Sequence, residues 1–230
     1  MTRTLSSPDV ATEGIDPRTT RIGAGLGIAS IALVATGFAI AAATEATIAS
    51  PESEVAAFYT EAGLARTLAG GLIETLGLLL LLPFAAMLTG RLAGPGLSGD
   101  LLAPTARMAA TVYVTICLAP GMSAGAAALW LAHHGTTDPA ILTALNDLRA
   151  LSYFVALAAF AVFLATTGFA ASSTRRLPRW AATSAVVLGI ALAAGLPFAA
   201  QNVPDMIGLL GLAWVVAVAV SLLRSPEPSV

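Results

Sequence analysis

Six long apolar stretches, at about 22–44, 67–90, 108–131, 150–171, 180–200 and 206–223, constrain this 230-residue chain more than any other feature. Each has the roughly 20 residues that an α-helix needs to cross about 30 Å of hydrocarbon. Lipid offers the backbone no hydrogen-bond partners, so only helices and closed barrels can span it. The Leu/Ala/Val runs lack the period-2 alternation of barrel strands. The pattern therefore predicts an all-α, polytopic membrane helix bundle with six transmembrane helices. Composition agrees: only 10% of residues are charged, against about 25% in soluble domains, too few to coat a water-facing surface. A net charge of −2 gives no electrostatic reason to expect nucleic acid as a partner. All eleven basic residues are arginine, which excludes lysine chemistry such as a Schiff base. Cys117 is the single cysteine, so an intramolecular disulfide and a cysteine metal cluster are excluded too.

Residues 1–21 are polar and rich in Ser, Thr, Pro and Asp, and read as a disordered cytoplasmic tail. Apolar character begins at Ile22 and runs too long for a signal-peptide core of about 7–15 residues, so the first span is expected to stay uncleaved. The transmembrane domain is then 22–224, with a short cytoplasmic tail at 225–230. An even number of spans puts both termini on one side. That side receives Arg3, Arg18, Arg21, Arg91, Arg107, Arg175, Arg176, Arg179 and Arg224, whereas the other receives only Arg66 and Arg149. Nine arginines against two predict cytoplasmic termini and a multi-pass protein of the plasma (inner) membrane. The acidic loops are expected to face outward. Two of them carry helix-start signals, Ser50-Pro51 and Asp138-Pro139, and predict two short outer interfacial helices.

The residue that stands out is Glu74, the one carboxylate in the second span. Gly70, Gly71 and Gly77 accompany it at helical spacing, so its face is expected to meet another helix and not lipid. Counting about 1.5 Å per residue puts it roughly 10 Å below the outer boundary. An acid at such depth is costly and often functional. A structural hydrogen bond and a functional proton site both satisfy this reading. Arg66 and Arg149 flank spans with Glu61 and Asp147 nearby, and Tyr153 shares the Arg149 face. They read either as solvated ion pairs or as contacts to an anionic group at the outer leaflet. His133 and His134 end the third span, but adjacent histidines diverge on a helix, and no metal site is called for. Asp205 opens the sixth span in a tight turn. Pro83, Pro120 and Pro197 interrupt spans, with Pro120 beside Cys117 the best hinge or cavity wall. "GAGLG" at 23–27 and "GMSAG" at 121–125 read as helix contacts.

Three stretches carry a likeness to a known set of proteins: "ARTLAGGLIETLGLLLLLPFAAMLTGRL", "ALNDLRALSYFVALAAFAVFLATTGFA", and the arginine-rich turn leading into Leu177-Pro178-Arg179-Trp180. In these the chain resembles uncharacterised actinobacterial multi-pass membrane proteins of the DUF4386 type. That resemblance implies a topology and no assigned activity. A fainter similarity to small membrane-bound terpene cyclases rests on Glu74 and Asp205. Only 6% of the residues are aromatic, few for shielding a carbocation. Taken together, these features lead us to expect a non-enzymatic integral membrane protein that binds a lipophilic ligand or partner helices, with no cofactor. The alternative is an intramembrane enzyme or small proton-coupled carrier using Glu74 as its protonatable group.

Overall fold

The computed structural model describes residues 16–41, 46–48, 50–135, 138–201 and 203–224. These are helical almost throughout, with no strand among them. Helix α1 runs Pro17–Ala41, α2 Glu52–Glu61, α3 Leu64–Leu92, α4 Ala103–Ile116 and α5 Ser123–His134. They are followed by α6 Pro139–Thr174, α7 Arg179–Gly195 and α8 Val203–Arg224. Six helical runs are long and apolar enough to cross a membrane. The third is composite: a π turn at Ser98–Leu102 leads into α4, and a second π turn at Cys117–Met122 joins α4 to α5. The spans extend past the apolar runs. The first helix begins at Pro17, inside the stretch expected to be a tail, and the rest of that tail (1–15, with 225–230) lies outside the described residues.

Helix ends follow their local chemistry, with two departures. Asp138 accepts a hydrogen bond from the Ala140 N–H at 3.0 Å and starts α6 as its N-cap. No break follows, so this segment, expected as a separate short helix, and the fourth span form one helix of 36 residues. The apolar residues Ile141, Leu142, Leu145 and Leu148 continue the period of the span, and nothing in between stops it. The other cap differs as well. Ser50 Oγ accepts from the Thr47 N–H at 3.1 Å and so closes the preceding turn, leaving Pro51 at the start of α2. At the opposite end of α6, Arg175 adopts a left-handed conformation (φ 56°) that terminates the helix, and Pro178 then opens α7.

The spans form a closed circuit, α1–α3–α4–α6–α7–α8 and back to α1. Helix α6 touches nearly every other element, and its span is the most buried. In lipid, apolar side chains supply no hydrophobic drive between helices, so close backbone approach must hold the bundle. The α1/α3 pair shows it most clearly. A Cβ placed on Gly37 would lie 2.5 Å from the Gly70 carbonyl oxygen, and one on Gly77 would lie 2.8 Å from that of Ser30. Ser30 Oγ donates to the Gly77 carbonyl at 2.7 Å in the same buried seam. Gly23 and Gly27 of "GAGLG" receive Met87 and Phe84, while Gly25 faces open space. The α6/α7 pair repeats the device with Gly168 against Ala182 and Gly189 against Ala161 and Ala165. A Cβ placed on Gly71 would meet nothing within 4 Å, so Gly71 does not belong to the helix-contact face expected for it.

Gly37→Leu should therefore destabilise the bundle by about 1–3 kcal/mol or more, the cost of overpacking a filled seam. Gly71→Leu should leave stability nearly unchanged. Thermal unfolding of both variants in the same detergent checks the contrast.

Candidate functional site

Two polar groupings emerge, one at the end of the bundle that carries the acidic loops and one inside it. At the acidic end, α2 packs against α5 and α6 around Val55, Tyr59, Ala128, Leu129 and Leu142. Buried Asn146 of α6 ties this small core to the connection after α1. Its Oδ1 accepts from the Tyr59 hydroxyl at 3.2 Å, and its Nδ2 donates to the Thr47 carbonyl at 3.3 Å. Arg149, one turn on, donates from Nη2 to the Ala46 carbonyl at 2.9 Å and to Asn146 Oδ1 at 3.3 Å. Gly125 makes room for it: a Cβ there would meet Arg149 Cδ at 2.9 Å. The second glycine of "GMSAG" is thus a helix contact filled by an arginine stem.

Arg66 does similar work. Its Nε donates to the Ile40 carbonyl at 2.7 Å, close to the C-terminus of α1, where carbonyls lack helical partners and a cation is favoured. The hydrogen bonds of both arginines described here go to backbone carbonyls or an amide, in place of the acids beside them in sequence. Asp147 is half-buried on α6 and takes no part in this latch. His133 is bonded through Nε2 to the Ala62 carbonyl at 2.8 Å, at the end of α2. His134 is bonded through Nδ1 to the Trp130 carbonyl and stacks on the Trp130 ring, with centroids 3.8 Å apart. No group of three or more His, Cys, Asp or Glu that could hold a metal ion occurs among the described residues. The sequence reading passed over Tyr59 and Asn146. An amide in an amphipathic run gave the only signal, and nothing local names its partners.

Inside the bundle, Glu74 lies ten residues into α3, about 15 Å along the helix axis from Leu64. Its Cβ faces α1, 2.8 Å from where a Cβ on Gly37 would be, and the residue is half-buried. Tyr113 of α4 is buried and stacks on Phe160 of α6 with ring centroids 4.9 Å apart, and half-buried Cys117 follows one turn later. Glu74 lies within electrostatic reach of both Tyr113 and Cys117, and Tyr153 of α6 within reach of Tyr113. The Tyr153 hydroxyl also approaches Gly208 of α8, one turn beyond the half-buried Asp205. Next to Glu74, Thr75 donates to Met122 Sδ at 3.2 Å and so joins α3 to the π turn. That turn, Cys117–Met122, contains Pro120. A π turn is one way for a helix to accommodate a proline that removes a donor, and such bulges are frequent at functional sites. Structure thus groups Glu74 and Tyr153 of the expected residues and adds Tyr113 and Cys117. It leaves Arg66, Arg149, His133 and His134 in the acidic-end assembly.

No protein-family model, no curated protein and no solved structure matches the chain. The residues themselves carry the functional argument.

Arg149→Met should take this donor from the Ala46 carbonyl and leave Asn146 Oδ1 with the Tyr59 hydroxyl alone, costing about 1–3 kcal/mol as a buried acceptor loses its partner. Hydrogen exchange and protease sensitivity at residues 46–48 should rise, while the α6/α7 seam stays protected.

Proposed function

We propose that this chain is a non-enzymatic, multi-pass integral membrane protein that binds a lipophilic small molecule at the Glu74 cluster. The observation that carries the reading is Glu74 itself, half-buried on the α1/α3 seam beside the Pro120 π turn that Thr75 grips through Met122, with buried Tyr113 and half-buried Cys117 within its electrostatic reach in an otherwise apolar span region. An acid in such a place is costly unless it meets polar partners. A membrane-resident ligand with a hydroxyl or amine on an apolar body could use the carboxylate and the phenols as its polar anchor. Both histidines, the commonest general bases, are engaged at the acidic end with the carbonyls of Ala62 and Trp130. This arrangement favours binding over catalysis.

A second reading makes Glu74 the protonatable group of a small proton-coupled carrier or intramembrane enzyme. The interruption of the third span by the Pro120 π turn, next to that acid, favours it, since carriers commonly place broken helices at their sites. For either reading we place the termini in the cytoplasm and the protein in the plasma membrane, supported by the distribution of arginine. Its likeness in span pattern to the DUF4386-type proteins remains part of this proposal.

Mass spectrometry of molecules that co-purify in mild detergent tests the first reading. Wild-type protein should retain a lipophilic compound, and Glu74→Gln should lose most of it without a change in melting temperature. Equal ligand content in both would sink the idea. Proton uptake by proteoliposomes that disappears in Glu74→Gln would instead establish the second reading. Topology is checked in a Cys117→Ser background, where an impermeant maleimide should label Ser53→Cys on intact cells but not Ser173→Cys.

A further inference from the structure

At the arginine-rich end of the bundle, an open groove of about 410 Å³ lies between α7 and α8. Trp180, Ala217, Val220, Ser221 and Arg224 line it. The four α8 residues stand at i, i+3, i+4 and i+7, so they form one stripe along the helix. Polarity rises along that stripe, from the Ala217 and Val220 methyls to the Ser221 hydroxyl and the terminal Arg224 guanidinium. Trp180, in the first turn of α7, supplies the facing wall with about half of its surface exposed. Indoles at the ends of spans sit at the level of lipid headgroups.

Charge selects among amphiphiles. Among the described residues this end carries Arg18, Arg21, Arg91, Arg107, Arg175, Arg176, Arg179 and Arg224, against Asp16 and Asp100. Eight positive charges against two negative leave this end of the bundle positive, and Arg224 brings one of them into the groove itself. We propose that this groove is a binding site for an anionic phospholipid. Its phosphate meets the Arg224 guanidinium, which can grip two oxygens at once. One acyl chain lies along Ala217 and Val220 against the Trp180 ring. A neutral phospholipid would gain the apolar contact without the charge. Inorganic phosphate would gain the charge and leave the apolar wall unfilled.

The proposal is independent of what binds at Glu74, and its test does not involve that site. Full-length protein is reconstituted in vesicles of equal phosphatidylglycerol and phosphatidylcholine, extracted in mild detergent, and its retained lipid measured by native mass spectrometry. Wild-type protein should retain phosphatidylglycerol preferentially. Arg224→Gln should reduce that preference about fivefold, the factor equivalent to about 1 kcal/mol for one basic residue at an anionic surface. Ala217→Phe should fill the groove and reduce retention of both lipids, with Val220→Trp serving the same purpose should the first variant fail to fold. Arg18→Gln, at the same end but on α1, should behave as wild type. Three outcomes would overturn the proposal: equal retention of the two lipids by wild type, an Arg18→Gln loss as large as that of Arg224→Gln, or full retention after groove filling. Displacement of the lipid by millimolar inorganic phosphate would overturn it as well.

Discussion

Close approach of α1 and α3 is the contact on which the rest of the molecule depends. Helices surrounded by lipid gain little from burying leucine, because the tails outside are as apolar as the core. Attraction must come from dispersion at short range and from hydrogen bonds that lipid cannot offer. Gly37, Gly70 and Gly77 bring two backbones into contact, and Ser30 Oγ on the Gly77 carbonyl adds a directional bond. Because Glu74 lies between Gly70 and Gly77, the same seam decides where the acid points. The glycines thus set the position of this carboxylate as well as the helix spacing.

Polar chemistry at the acidic end solves a different problem. Helices that stop, and a chain that turns, leave carbonyls without partners. Arg66 reaches the Ile40 carbonyl, Arg149 reaches that of Ala46, and His133 reaches that of Ala62. Three side chains whose charge or metal affinity first draws attention act here as caps. Asn146 completes the arrangement, since one amide can accept from Tyr59 and donate to the Thr47 carbonyl at once. This assembly pins α2 and the connection after α1 over the first turns of α6, and leaves the interior cluster as the place where unusual chemistry concentrates.

That cluster shows why a sequence reading of the site stops short. Glu74 could be singled out because an acid in an apolar run is visible in one dimension. Tyr113 could not, since a tyrosine among alanines and valines reads as one more core aromatic. Cys117 stands out in the sequence as the single cysteine and as the neighbour of Pro120, with no partner assigned to it. Their meeting depends on how α3, α4 and α6 are placed around one another, which spacing within any single helix leaves undetermined. The same holds for the start of α6, whose cap residue Asp138 is legible in the sequence while its continuity with the fourth span is not.

By itself the sequence determined the all-helical class, the six long apolar helices, and the helix start at Asp138. These follow from local rules, because hydrocarbon forces each span to satisfy its own backbone and capping acts within a few residues. Only the tertiary structure decided which glycines touch a neighbour, and that Gly71 does not. It also decided that Arg66 and Arg149 serve carbonyls, and that Glu74 shares its surroundings with Tyr113 and Cys117. Those outcomes depend on the rotation of each helix about its own axis. That rotation is set by the partner a helix packs against, and no single span encodes its partner.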